Sequence, residues 1–350
     1  MKAVSVGIIG CGVIGRIHAK SAMESPQVKL VAVADLIEER AREVADQHSV
    51  PARYGEGLDL LDDPRVEAVV LALPANGRLA LAMKAFRRGI HVLTEKPVAM
   101  NARDVEQMIA ARGALVAACC SSRYRLLPSA EVVTRFIATG ALGELRVLHC
   151  RAISAAAEPP VTPPPTWRLR RRENGGGILM NWGSYDLDYL LGVTGWSLVP
   201  RLVLGQTWTL APDLAARAAP DSDAETHVAA LIRCEGGTVI SYERAEFAAA
   251  QTENAWKIVG SRGALHLRMI TESAKRIAYD ASSDAEGVSP QVLWEGTEDA
   301  APLHAGPLRD FAAAIREGHP PKTTLEQALV VQKISDAIYA SAEKGAAVAI

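Results

Sequence analysis

Three groups of residues have the types and spacing to do chemistry. Lys96 stands in Thr94-Glu95-Lys96-Pro97, directly after the apolar run Ile90-His91-Val92-Leu93. A residue at the carboxyl end of a buried strand lies where open α/β sheets bind ligands. An ammonium there can hydrogen-bond a hydroxyl that is losing its hydride and stabilise the developing alkoxide. A second group follows Gly175-Gly176-Gly177, where a helix begins. Asn181, Tyr185 and Asp188 fall at i, i+4 and i+7 of that helix, so they share one face. The Tyr185 phenolate can take a proton, and neutral Asn181 can bond a substrate hydroxyl without opposing that phenolate as a carboxylate would. The third group is Gly10-x-Gly12-x-x-Gly15, between the apolar run Val4–Ile9 and the amphipathic stretch Val13–Met23. At a strand-to-helix turn the first glycine allows the tight bend, the second lets backbone approach a pyrophosphate, and the third lets the helix pack close. The helix N-terminus adds free N–H groups and a partial positive charge. Asp35 ends the next strand, roughly 20 residues past the last glycine, where a carboxylate accepts from ribose hydroxyls and repels a 2′-phosphate. Leu36 and Ile37 follow with no arginine, so the pattern selects NAD over NADP.

The elements that must position these groups divide the chain in two. Its 350 residues exceed the ~250–300 at which single cores stop growing. Strand and helix signals alternate through the first third, which predicts a doubly wound parallel sheet over residues 1–123. Strands are expected at Val4–Ile9, Val28–Ala34, Val66–Leu73, Ile90–Thr94 and Ala114–Cys120. Helices are expected at Val13–Met23, Leu36–His48, Gly55–Asp62 and Arg78–Arg88, and from the Asn101 cap to Arg112. Residues 124–350 read as an α+β domain. A helix, Ser129–Ala138, leads to the strand Leu145–Ser154 and to a stiff loop with Pro159, Pro160, Pro163, Pro164 and Pro165. Alternating stretches from Leu202 to about Leu267 predict a large, mostly antiparallel sheet with Gly236-Gly237 as a hairpin turn. Two last helices, Pro307–Glu317 and Leu325–Ala342, pack back on the first domain or flank the sheet.

Composition narrows the partners. A net charge of −2 gives no electrostatic reason for nucleic acid or an anionic membrane, and no apolar run approaches the ~18 residues that span a bilayer. The first strand starts almost at once, which leaves no room for a signal peptide. The five cysteines (Cys11, Cys119, Cys120, Cys150, Cys234) are odd in number, lie mostly in apolar runs and lack C-x-x-C spacing. They predict a reduced, cytoplasmic protein without a metal, with Cys11 as a small filler of the glycine loop.

With these residues in hand, the chain resembles the glucose–fructose oxidoreductases and inositol dehydrogenases, the Gfo/Idh/MocA family. The resemblance runs nearly end to end. It takes in the glycine loop with His18, Gly89-to-Pro97, Arg123-Tyr124 with Pro128, Trp167-Arg168, the triple glycine and Ala337-to-Ser341. It implies that Lys96 is catalytic, with Tyr185 and Asn181 beside it where relatives commonly have histidine and aspartate. It also implies a cofactor site from Gly10, Gly12, Val13, Ile14, Asp35, Leu73, Pro74, Asn76, Glu95, Lys96 and Arg123. Tyr124, Trp167, Arg168 and Asp188 would join Lys96, Asn181 and Tyr185 at the substrate. The other arginines of Arg168–Arg172 read as a solvated loop edge. The expected activity is NAD-dependent hydride transfer with a secondary hydroxyl of a sugar, polyol or glycoside. Two alternatives keep the fold: an NAD-dependent glycosidase that eliminates an aglycone after transient oxidation, and a non-catalytic ligand sensor. A homodimer or homotetramer is expected, formed through the uncovered face of the second sheet.

Overall fold

The computed structural model describes residues 2–158, 165–271, 274–283, 287–299 and 303–350. Pro159, Pro160, Pro163 and Pro164 of the expected proline loop lie outside them. The chain forms two compact units, Met1–Arg123 with Ala300–Leu329, and Tyr124–Asp299 with Val330–Ile350.

In the first unit, strands and helices alternate as β1 (Val4–Ile9), α1 (Val13–Met23), β2 (Val28–Ala34), α2 (Glu38–His48), β3 (Arg53–Tyr54), α3 (Gly57–Leu60), β4 (Ala68–Leu71), α4 (Arg78–Arg87), β5 (His91–Thr94), α5 (Ala102–Arg112) and β6 (Ala117–Cys119). The sheet is parallel, in the order β3-β2-β1-β4-β5-β6. Its strands are apolar at nearly every position because both faces are covered. One face buries Ile9, Val69, Leu71 and Val92 against Leu81, Phe86, Val105 and Met108 of α4 and α5. The other buries Val6, Ile8 and Val70 against Ala19, Ala22, Val44 and Phe311. The strand order reverses between β1 and β4, and in such sheets ligands bind at the carboxyl ends beside that switch point. Helix α2 starts at Glu38, two residues later than the apolar pattern predicts, because the Asp35 carboxylate accepts from the Ile37 N–H and turns the chain first.

The second unit adds α6 (Pro128–Ala138), β7 (Leu145–Ala155), α7 (Arg171–Asn174), α8 (Ser184–Val193), β8 (Pro200–Trp208), β9 (His227–Cys234), β10 (Val239–Ala248), β11 (Glu253–Gly260), β12 (Gly263–Leu267), β13 (Lys275–Ser283) and β14 (Gly287–Gly296). Helix α9 (Ala305–Glu317) returns to the first unit. Helix α10 (Leu325–Lys344) runs from the first unit into the second, and β15 (Val348–Ala349) closes the chain. The nine strands are ordered β14-β13-β12-β11-β7-β10-β9-β8-β15 and are antiparallel except at β7–β10. Two findings differ from the sequence reading. The sheet continues past Leu267 into β13 and β14, and β14 is so largely exposed that no apolar alternation marks it. Residues Leu179–Gly183 form a π-helical turn ahead of α8, not regular α-helix. No helix among the described residues is long and apolar enough to cross a membrane.

Candidate active site

The glycine loop joins β1 to α1. Gly10 has a φ of 97°, and a Cβ on it would strike the Ala72 carbonyl oxygen, so only glycine fits. A Cβ on Gly15 would strike the Gly10 carbonyl oxygen. Gly12 differs: a Cβ there would meet nothing within 4 Å, and its φ of −71° suits any residue. The fold therefore does not require glycine at 12. Its missing side chain leaves open the space before the α1 N-terminus, which receives no side-chain cap.

Asp35 ties the loop to β2. Its Oδ2 accepts from the Cys11 N–H at 2.7 Å and its Oδ1 from the Ile37 N–H at 2.8 Å, leaving lone pairs on both oxygens. Val13, Leu36 and Ile37 stand exposed around it, an apolar surface of the kind a nucleoside covers. Open space, uncapped N–H groups, an acceptor pair and apolar cover fit a dinucleotide. Cys11 is buried inside the loop, and burial together with the Asp35 charge pushes its thiol up to about 12, so it stays protonated.

Lys96 follows β5 in a half-buried position, and its backbone is clamped. Glu95 is 3% exposed, and its Oε2 accepts from the Lys96 N–H at 3.1 Å. Its Oε1 accepts from His18 Nε2 and from Arg123 Nη2, each at 2.9 Å. A carboxylate only accepts, so His18 carries its hydrogen on Nε2. Burial alone would raise the Glu95 carboxyl, but Arg123, His18 and Lys96 outweigh it and hold it well below the ordinary value. Glu95 and Arg123, expected at the cofactor, are thus engaged with each other beneath Lys96. Cys120 adjoins the pair, with ligand atoms of His18, Glu95 and Cys120 within 4.8 Å of one another. The Arg123 guanidinium on the same carboxylate oxygen opposes a cation there. Arg78, which sequence reasoning missed, binds the Leu73 carbonyl from Nε at 2.9 Å and also donates to the Pro97 carbonyl. It thereby joins the loops after β4 and β5 that carry Leu73, Pro74 and Lys96. Asn76 is exposed in the 3-10 turn Ala75–Gly77 that precedes α4, and Ile14 is half-buried in α1. His304 was missed too. Burial and the nearby Arg123 charge push it down to about 4, so it is neutral at pH 7.

The second unit holds the other residues. The triple glycine is shaped by Glu225, whose buried carboxylate accepts from the Gly177 N–H, the Leu179 N–H at 3.0 Å and the Tyr339 hydroxyl at 2.8 Å. A Cβ on Gly177 would strike the Glu225 carbonyl oxygen, and one on Gly176 the Tyr339 hydroxyl. The π turn that follows carries Asn181 and Trp182, and Tyr185 begins the α-helical turns. Local π-turns of this kind gather at functional sites. The Tyr185 ring meets Tyr124 edge-on at 5.3 Å and Trp182 at 5.7 Å, so Tyr124 and Tyr185 are brought together as expected. Asp188 lies one turn on along α8. It is fully buried and accepts from Arg125 Nε at 2.6 Å, while the π turn, which carries Asn181 and ends before Tyr185, alters the plain 3.6-residue spacing of Asn181 relative to both Tyr185 and Asp188. Arg168 is paired with Glu246 on β10, and Trp167 beside it is 36% exposed. Asp186, also on α8, is engaged by Arg244 Nε at 2.8 Å and the Tyr242 hydroxyl at 3.1 Å, both from β10. The signal for these pairs was the run Glu243-Arg244-Ala245-Glu246 inside a strand, where charges need buried partners.

Comparison with known proteins follows the same division. Residues 4–115 match the sequence model described as an oxidoreductase family with an NAD-binding Rossmann fold, and residues 131–266 match the GFO/IDH/MocA C-terminal domain. Myo-inositol 2-dehydrogenase of Thermotoga maritima is 23% identical over 322 residues, 92% of this chain and 91% of that one. Human trans-1,2-dihydrobenzene-1,2-diol dehydrogenase is 31% identical over 193 residues, 55% of each chain. Among solved structures, levoglucosan dehydrogenase in complex with NADH shares the fold with a TM-score of 0.86 at 22% identity, covering 100% of this chain and 99% of that one.

Proposed function

The chain belongs to the Gfo/Idh/MocA family of oxidoreductases, and we propose that it transfers a hydride between NAD and a secondary hydroxyl of a sugar, polyol or glycoside. The observation that carries this reading is the clamp on Lys96. A buried Glu95 carboxylate, itself held by His18 and Arg123, fixes the lysine backbone at the carboxyl end of β5. Backbone of the Gly10–Ile14 turn would hold the cofactor's phosphates and Asp35 its ribose hydroxyls, with NAD preferred because the carboxylate repels a 2′-phosphate. When bound, the nicotinamide supplies the hydride chemistry. Lys96 donates a hydrogen bond to the reacting oxygen and stabilises its negative charge. Tyr185, as the phenolate that the Lys96 ammonium would favour, takes the hydroxyl proton and becomes the neutral phenol, and Asn181 bonds a second hydroxyl. Asp188, engaged by Arg125, anchors α8 beneath Tyr185.

The dihydrodiol and inositol dehydrogenases named above oxidise vicinal diols or polyols by name, which supports the substrate class. The proposal includes a reducing, cytoplasmic setting, in keeping with five free and buried cysteines. It also includes a dimer or tetramer. Leu204 and Leu231, cross-strand partners on β8 and β9, are both more than half exposed with Trp208 nearby, an apolar patch suited to a second copy.

The test is a panel of sugars, polyols and glycosides with NAD, followed by NADH absorbance. Tyr185→Phe should lower kcat by roughly 10²–10⁴. Lys96→Met should cost at least as much, and the double variant little more than Lys96→Met alone, since residues acting as a unit are not additive. Near wild-type turnover by Tyr185→Phe would remove it from the mechanism. Aglycone release without NADH accumulation would replace oxidation by elimination.

A further inference from the structure

The second unit contains a cavity of about 250 Å³ lined by Ile178, Trp182, Arg244, Glu246 and Phe247, with Ala157 among the small residues of its wall. A distortion of β10 builds it. Pairing with β7 runs to Ala245↔Ile153 and resumes at Ala248↔Ala155, so β10 carries one extra residue. The bulge holds Phe247 at a φ of 55°, left-handed backbone that a bulky side chain rarely adopts. Strain of this kind gathers at ligand clamps.

Glu246 on the bulge is only half satisfied. One carboxylate oxygen accepts from Arg168, while the other is buried and has no hydrogen-bond partner among the described residues. A buried acceptor without a donor is costly, and at a cavity wall it calls for a donor that a ligand brings. The charges of the wall narrow that ligand. Arg244 is held by Asp186 and lies 4.8 Å from the centre of the Trp182 ring. Arg168, behind the wall, is held by Glu246. Both guanidinium groups are already paired, so an anion would meet neutralised cations and a bare carboxylate oxygen. A neutral polyol brings hydroxyl donors instead. The volume is below the ~300–1,000 Å³ of drug-sized pockets and suits one sugar ring. Trp182 also touches Tyr185, so the cavity is one side chain away from the proposed base.

We propose that this cavity seats one ring of an uncharged sugar or polyol, that the unpaired Glu246 oxygen accepts from a ring hydroxyl, and that Glu246 thereby excludes sugar acids and sugar phosphates. The inference deepens the dehydrogenase reading and rests on it for the identity of the ligand as substrate.

The experiment uses the full chain with NAD and matched sets of a neutral sugar, its uronate, its 6-phosphate and its 2-amino analogue. Wild type, Glu246→Gln and Ala157→Phe are compared, and sugar binding is followed in parallel by saturation-transfer NMR. The neutral member should have the lowest KM. Glu246→Gln should raise that KM roughly 10- to 100-fold, as expected for a lost bond to a charged acceptor, and more than it lowers kcat. It should also narrow the gap to the uronate. Ala157→Phe adds bulk to an exposed part of the wall and removes no polar group, so it should raise KM even if Glu246→Gln does not fold. Preference for the uronate, phosphate or amino sugar would overturn the proposal, as would an unchanged KM in folded Glu246→Gln. If no sugar is oxidised, neutral-sugar binding that Glu246→Gln or Ala157→Phe weakens upholds the cavity and overturns the dehydrogenase reading. Absence of binding to wild type overturns the cavity assignment.

Discussion

Gly12→Ala separates a glycine kept for a ligand from glycines kept for the fold. The added Cβ meets nothing within 4 Å, and φ −71°, ψ −162° is open to alanine. Alanine is a poorer N-cap than glycine by ~0.5–1 kcal/mol, while its stiffer unfolded chain returns about 0.4–1 kcal/mol. The two nearly cancel, so the melting temperature should move by no more than a few degrees. Binding should respond very differently. The methyl group fills the space through which a pyrophosphate reaches the uncapped N–H groups of α1. Each charge-assisted hydrogen bond lost is worth ~1.5–3 kcal/mol, and 1.4 kcal/mol is about tenfold in Kd. NADH affinity should therefore fall roughly 10- to 100-fold for one such bond and further for two. Gly10→Ala should do the reverse in order of cause. Its Cβ strikes the Ala72 carbonyl oxygen at a φ of 97°, so stability falls first. Thermal melts and NADH fluorescence titration on the same samples make the comparison. A Gly12→Ala protein that melts normally and binds NADH as tightly as wild type would refute the reasoning.

Two further outcomes are expected. Asp35→Ala removes the acceptor pair beside the glycine loop, so NAD should bind more weakly and discrimination against NADP should relax; better wild-type turnover with NADP than with NAD would contradict the assignment. His304 titrates near 4 in the folded chain, against an ordinary value of 6.5, because it is buried near Arg123. Between those values the unfolded chain holds a proton that the folded chain refuses, so stability should fall as pH drops through that window. His304→Gln should flatten this part of the urea-midpoint profile, and parallel profiles for the two proteins would show that His304 does not contribute.

Much of the fold was legible because its signals are local. Val4–Ile9, Val13–Met23 and Val28–Ala34 have the bounds that apolar runs and glycine positions predict, and Asn101 caps α5 by accepting from the Asp104 N–H. The edges of the second sheet were not legible. A mostly exposed strand such as β14 carries no alternation to read, and the single parallel pair β7–β10 depends on which distant strands meet.

The sequence by itself determined the strand-to-helix turn, the carboxylate ending the second strand and the lysine after the strand that ends at Thr94, since each follows from residue type at a fixed step along the chain. Tertiary structure decided what the charged side chains do. Glu95 and Arg123 read from the sequence only as cofactor ligands, and the fold adds that His18, 77 positions from Glu95, shares the same carboxylate oxygen with Arg123. Asn181 shares a face with Tyr185 and Asp188 at plain helical spacing only on an unbroken α-helix, and the π turn anchored by Glu225 and Tyr339 removes that condition. Glu246 is an ordinary strand residue until a bulge and Arg168 leave one of its oxygens buried without a donor. Helix and strand periodicity is a property of neighbours in sequence, whereas a buried charge is defined by whichever residues the fold brings to it, and no spacing rule along the chain encodes those.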